Sequence, residues 1–142
     1  MIAYMDSSAV VRRVLDQPGA DVVVDLWDQA ATVVSSQVVY PEARAALAAA
    51  RRAGELDDER FETAACELER LMADLQLVGV DGEQADVAGR LAEDLALPGA
   101  DAIHLAAALS VDAPRVVVAT WDSGLGKASA ECGMPVVPAV AG

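Results

Sequence analysis

Asp6, Glu42, Asp101 and Asp122 each stand where a strand ends or a helix begins, and together they span nearly the whole chain. Met1 to Asp6 reads as a short apolar strand closing on an acid, and "RVVVATWD", Arg115 to Asp122, reads the same way. In open α/β sheets an acid at the carboxyl end of a strand faces the crevice where ligands bind. Four carboxylates gathered there repel one another: at an effective dielectric of ~20, two of them ~4 Å apart cost about 4 kcal/mol. A divalent cation relieves that cost. Mg²⁺ prefers oxygen ligands in octahedral geometry and keeps several waters. Four carboxylates suffice for two ions about 3.5–4 Å apart, or for one ion with an acid left to orient water. Such a site suits phosphodiester hydrolysis, because the ion lowers the pKa of a water, polarises the phosphoryl group and neutralises the leaving oxygen. No histidine, serine or lysine nucleophile is then required.

Each acid also has a plainer reading. Asp6 caps a helix starting at Ser7 or Ser8, Asp101 favours its helix start through the macrodipole, and Asp122-Ser123-Gly124 forms a turn. Glu42 alone reads as a solvated surface acid. The joint pattern carries the inference; no single position does. His104, the one histidine, follows Asp101 by three residues. A general base is one reading of it; a packed, hydrogen-bonded structural histidine is preferred, and one histidine is too few for a zinc site. Arg12, Arg13, Arg44, Arg51 and Arg52 are the candidate phosphate contacts, with Arg13 and Arg44 foremost. The default for such arginines is pairing with surface acids. Trp27 and Trp121 read as core or interface rather than base-stacking platforms, and Lys127 as a solvated helix residue.

The elements that must position these residues alternate in two rhythms. Ile2 to Met5, Thr32 to Val34, Leu75 to Val80, Val116 to Thr120 and Val136 to Val137 are short apolar runs bounded by Gly, Pro, Asp or Ser, which read as buried strands. Between them lie helices. From about Asp58 to Asp74, Phe61, Ala64, Ala65, Leu68, Leu71, Met72 and Leu75 recur at three and four residues, giving one apolar face. Gly54 ends the helix before it and Asp57 caps it. Asp81 and Gln84 have capping-box spacing for the next helix. Pro98 and Gly99 then break the chain before "ADAIHLAAALS". "SSQVVYPEARAALAAARR" looks helical with Ser35 or Ser36 as cap, but Pro41 then lacks the N–H its bond needs. The helix is kinked there or begins near Tyr40. Strands alternating with helices predict an α/β fold: a parallel sheet with helices on both sides.

Length, charge and cysteines bound the function. The 142 residues fit a single domain, 1–142. Hydrophobic residues make up 54% and aromatics only 4%, so the core is aliphatic. There is no apolar run of about 18 residues, and the first strand is too short for a signal sequence, so a cytoplasmic protein is expected. Cys66 and Cys132 lack metal spacing and read as buried free thiols. The net charge of −13, with Lys127 as the single lysine, argues against broad nonspecific nucleic-acid binding and predicts a basic partner. It leaves room for a local arginine patch.

The strings "AYMDSSAVV", Glu42 in a mid-chain helix, "ADAIHLAAA" and "VVVATWDSGLGKASAECGMPVV" resemble the PIN-domain ribonucleases, and among them the VapC toxins of bacterial toxin–antitoxin modules. The resemblance covers essentially the full length. It implies a five-stranded parallel sheet flanked by helices, in a single PIN-like domain. It implies that Asp6, Glu42, Asp101 and Asp122 bind Mg²⁺ or Mn²⁺ for RNA cleavage, with Thr120 beside the metal site positioning a ligand water. Ser7 and Ser8 match the small polar residues after the first acid. Pro41 before Glu42 departs from the commoner aliphatic residue. The resemblance also implies a cognate antitoxin protein as partner and a homodimer built on the helix pair around residues 45–75. Two rival readings stand beside it: a phosphoacceptor signalling domain, which lacks its lysine in the right context, and a catalytically inactive PIN-like scaffold. A haloacid-type phosphatase lacks its second Asp after Asp6, and a dinucleotide binder lacks its Gly-rich loop.

Overall fold

The computed structural model describes residues 1–139. Five strands, β1 (Ile2–Met5), β2 (Thr32–Ser36), β3 (Gln76–Val78), β4 (Val116–Ala119) and β5 (Val136–Val137), form one parallel sheet in the order β3-β2-β1-β4-β5. The chain winds outward from β1 through β2 to β3, then crosses to the other side of β1 for β4 and β5. The winding reverses between β1 and β4, and the carboxyl ends of these two strands therefore flank the crevice where such sheets bind ligands.

Among the described residues seven helices cover the sheet: α1 (Ser7–Leu15), α2 (Ala20–Gln29), α3 (Val39–Arg52), α4 (Asp58–Asp74), α5 (Gly82–Leu95), α6 (Gly99–Leu109) and α7 (Ser123–Glu131). Side chains alternate across each strand. Ala3 and Met5 of β1, with Val117 and Ala119 of β4, pack into the core shared with α1 to α4. Tyr4, Val34, Val116 and Val118 face the other way, onto Ala107 and Ala108 of α6. Leu105 of α6 and Leu125 of α7 close a third cluster beneath α5.

Several local expectations hold. Asp57 and Asp81 cap α4 and α5 by accepting the N–H of Arg60 and Gln84. Gly54, at φ +78°, turns the chain after α3. Two expectations are corrected. Ser35 and Ser36 are not helix caps: they are the buried end of β2, and Ser35 Oγ donates to the Met5 carbonyl at 2.6 Å. α3 begins instead at Val39, so Pro41 sits in its first turn, where no N–H needs an intrahelical partner. Cys66 and Cys132 are free but exposed, on the outer faces of α4 and the α7 terminus.

Candidate active site

All four acids stand at helix N-termini on the carboxyl side of the sheet. Asp6 ends β1 and caps α1, Glu42 lies in the first turn of α3, Asp101 in the first turn of α6, and Asp122 caps α7 after β4. At Asp122 the plain capping reading and the site reading hold together, because the cap uses one carboxylate oxygen and leaves the other.

Asp6 is the anchor, only 3% exposed. Its Oδ1 accepts from the Ala9 N–H at 3.0 Å and the Ser8 hydroxyl at 2.6 Å; its Oδ2 accepts from the Thr120 hydroxyl at 2.5 Å. Ser8 Oγ in turn accepts the Trp121 N–H at 2.9 Å, and Thr120 Oγ1 accepts the Asp122 N–H at 3.0 Å. Asp122 Oδ1 accepts the Leu125 N–H at 2.9 Å. Two hydroxyls therefore lace the end of β1 to the end of β4. Thr120 gives its single proton to Asp6, so here it orients that carboxylate. Burial raises the Asp6 pKa above the usual aspartate value, while the bonds from Ser8, Thr120 and Ala9 pull it back.

Asp101 makes no side-chain hydrogen bond among the described residues. Its pKa is raised, first by burial, then by the charges of Asp122, Asp6 and Glu42, with His104 opposing. Asp101 and Asp122 also line one cleft of about 340 Å³.

Glu42 is held by a link the sequence did not reveal. His104 Nε2 lies 2.6 Å from Glu42 Oε1, and His104 Nδ1 lies 2.7 Å from the Tyr4 hydroxyl. His104 is 2% exposed and Tyr4 fully buried. Burial, then the charge of Asp6, raises the Tyr4 pKa well above the usual phenol value, so its O–H stays a donor. With Tyr4 donating to Nδ1, the network assigns the proton to Nε2, which donates to Glu42. His104 is thus hydrogen-bonded and structural, but its partner is a site acid. Glu42 Oε2 has no protein partner among the described residues.

The donor set suits a hard divalent cation: carboxylates only, with free oxygens on Asp101, Asp122 and Glu42. Among the described residues no three His, Cys, Asp or Glu side chains close into a ready-made ion cage. Mg²⁺ does not require one, since it keeps most of its waters and takes one or two carboxylates.

The arginines separate. Arg44 pairs with Glu69 at 3.8 Å, on the exposed seam between α3 and α4. Arg13 stacks over Trp27 at 4.8 Å, and Trp27 lines a cleft with Thr32 and Gln76, the first residues of β2 and β3. Arg13 therefore points toward the opposite end of the sheet. Arg51 lies over Phe61 at 4.0 Å, and Arg52 is exposed. Arg12 instead lines a cleft with Ser7, Ser8 and Glu42. The sequence carried that signal: Arg12 is four residues after Ser8 and shares its helix face, whereas Arg13 follows the buried Ala9 by four.

A family model described as PIN domain matches residues 3–130. The chain belongs to the PIN domain family. This PIN domain is 39% identical over 138 residues to Ribonuclease VapC45 of Mycobacterium tuberculosis (strain CDC 1551 / Oshkosh), covering 97% of this chain and 96% of that protein. The resemblance to VapC-type PIN domains read from the sequence is thereby borne out. PAE2754 from Pyrobaculum aerophilum matches with a TM-score of 0.69 at 20% identity, over 96% of this chain and 84% of that one. VapBC2 from Rickettsia felis, bound to a DNA fragment from its promoter, matches at 0.65 and 12% identity, over 96% and 97%. At these identities the likeness establishes the fold, the five-stranded parallel PIN sheet with flanking helices. No helix among the described residues is long and apolar enough to cross a membrane.

Proposed function

We propose that this PIN domain is a metal-dependent endoribonuclease, the toxin of a toxin–antitoxin pair, that hydrolyses RNA phosphodiesters with Mg²⁺ or Mn²⁺ held by Asp6, Glu42, Asp101 and Asp122. The observation that supports the reading best is the placement of these acids at four helix N-termini on the carboxyl side of one sheet, with Asp101 and Asp122 lining one cleft. The 39% identity to a protein named a ribonuclease supports RNA as the substrate.

The divalent ion, when bound, supplies Lewis-acid polarisation of a phosphoryl oxygen and lowers the pKa of a water. The chain's own residues do the positioning. Asp6 is fixed in rotation by donors on both oxygens, and Oδ2, which accepts only from Thr120, is the oxygen with acceptor capacity left for an ion. Asp122 turns one oxygen to the α7 N-terminus and keeps the other for the site. Asp101 remains free to respond to charge. His104 orients Glu42, leaving Oε2 toward the crevice as the acid that accepts a proton from attacking water.

A cognate antitoxin holds this activity in check. The net charge of −13 and the acid cluster favour a partner segment that is basic where it covers the site, an arginine meeting the carboxylates. An acidic partner that left the crevice open would sink this part of the reading. The α3–α4 hairpin is proposed as the homodimer element.

The test uses the purified chain, free of partner, with RNA and Mn²⁺ or Mg²⁺. Cleavage is expected with the ion, and is expected to fall at least about a hundredfold with chelator or in Asp6→Ala, the scale of losing a main electrostatic contributor. Cleavage surviving either change overturns the carboxylate–metal mechanism.

A further inference from the structure

We propose that Arg12 forms a built phosphate subsite, which grips an RNA backbone phosphate next to the one that is cut. This rests on the ribonuclease reading above and names the substrate contact that reading leaves open. Arg12, Ser7, Ser8, Gln17, Glu42 and Ala46 line a cleft of about 230 Å³ between α1 and α3. One water's share of liquid volume is about 30 Å³, so the cleft holds several waters' worth, room for a phosphate group. Glu42 stands on one wall, which makes the cleft continuous with the acid site.

Four observations converge on Arg12 as an anion contact rather than a surface charge. Its guanidinium lies 4.7 Å from the Trp121 ring centroid, so the plane is held before any ligand arrives. Trp121 is itself fixed, by its N–H bond to Ser8 and by Gly19, where an added Cβ would lie 2.6 Å from the ring. Arg12 Nε is buried without a hydrogen-bond partner, so no protein acceptor ties down that edge of the guanidinium. Arg12 makes no ion pair among the described residues, although the chain carries a net charge of −13; its side-chain bond is a long one, 3.4 Å, to the neutral Gln17.

Arg13 also has an orphaned donor, Nη1, but it lies over Trp27, away from every site acid. The contrast separates the two. Arg12 is six residues past Asp6, about 9 Å along the axis of α1. The cleft it lines holds one site acid, Glu42, and not Asp6, Asp101 or Asp122, which suits a phosphate beside the one the acids hold. The planar fork of arginine matches two phosphate oxygens at once.

The test compares Arg12→Gln, Arg12→Lys and Arg13→Gln in two assays. The first is binding of a fluorescein-labelled single-stranded RNA to the chain in EDTA, as a function of salt. Each phosphate contact contributes about 0.7 to the slope of log affinity against log salt for single strands. Arg12→Gln should flatten the slope by about 0.7, while Arg13→Gln should leave it unchanged. Arg12→Lys keeps the charge and should retain the slope with weaker binding. The second assay is Mn²⁺-dependent cleavage, where Arg12→Gln should raise KM by about tenfold or more and hold kcat within about threefold, the sign of lost uniform binding. If wild type cuts RNA and Arg12→Gln matches it in slope and KM, the subsite is overturned and the ribonuclease reading stands. Equal losses in Arg12→Gln and Arg13→Gln also overturn it, since the effect is then bulk charge. If wild type neither binds nor cuts RNA, both readings fall.

Discussion

At the scale of single residues, the site stores unfavourable charge. Asp101 is half-buried, accepts no hydrogen bond from the described residues, and feels Asp122, Asp6 and Glu42. Its folded pKa is therefore above the unfolded value of about 3.9. An acid shifted in this direction favours folding below its unfolded pKa, and that contribution is lost as pH rises through the folded pKa. Asp101→Asn should thus melt at a higher temperature than wild type at pH 7 in EDTA, and the gap should close as pH is lowered toward about 4. A melting series from pH 7.5 to 4 checks this; a variant no more stable at pH 7, or a gap that persists in acid, contradicts the charge crowding. Asp6 shifts the same way but is a poor test residue, because Asn there would keep one oxygen for Ser8 and Ala9 but turn a donor NH2 toward the Thr120 hydroxyl. Removing its partner is cleaner. Thr120→Val leaves a buried carboxylate oxygen without its donor, at a cost of about 1.5–3 kcal/mol in urea unfolding, while Thr120→Ser retains the bond. Equal stability of the Val and Ser variants would show that the hydroxyl does not hold Asp6.

At the scale of elements, the turn between α1 and α2 decides where α1 presents Arg12. Gly19 has φ +96°, and a Cβ there would sit 2.6 Å from Trp121 Cζ2. Gly19→Ala therefore meets both backbone strain and a rigid indole, and should cost about 2–4 kcal/mol, beyond an ordinary surface change. Denaturant unfolding gives the cost, and a shift in tryptophan emission in the native state reports the displaced Trp121; an unchanged spectrum and stability would refute the contact. This turn, and α2 with it, carried no clear sequence signal. What was legible was local: β1 and β5 at their observed bounds, α4 from Asp58 to Asp74, and the Asp57 and Asp81 caps all depend on neighbours within one turn. What was not legible depends on partners far along the chain. Ser35 looked like a cap because nothing nearby announced its bond to Met5. The Tyr4–His104–Glu42 link joins residues 100 and 62 positions apart, and no spacing rule reaches that far. Cys66 looked buried by residue type, yet it falls on the outward face of an amphipathic helix. The acids themselves were legible because strand ends and helix starts are local features, and the topology then brought them together.

At the scale of the whole molecule, the proposed site would tie metal binding to folding. β1, α3, α6 and the β4–α7 junction each contribute one acid, so an ion that binds the site binds only the assembled sheet. Any ligand that binds the folded state alone stabilises it by RT ln(1 + [L]/Kd), about 2.7 kcal/mol at a hundredfold excess over Kd. For a chain of this size each kcal/mol moves the melting temperature by about 2–4 °C. Mn²⁺ or Mg²⁺ should therefore raise it by about 5–10 °C at that excess, reversibly on chelation. General screening also relieves a chain of net charge −13, so the control is a monovalent salt at equal ionic strength. Wild type should gain more from the divalent ion than from the matched salt. Asp101→Asn, already relieved of repulsion and short of one ligand, should gain less than wild type, so the order of stability seen in EDTA narrows or reverses. Calorimetry of both proteins with Mn²⁺, Mg²⁺ and the salt control separates the cases. A shift reproduced in full by the monovalent salt would mean that the crowded acids answer to ionic strength and hold no ion.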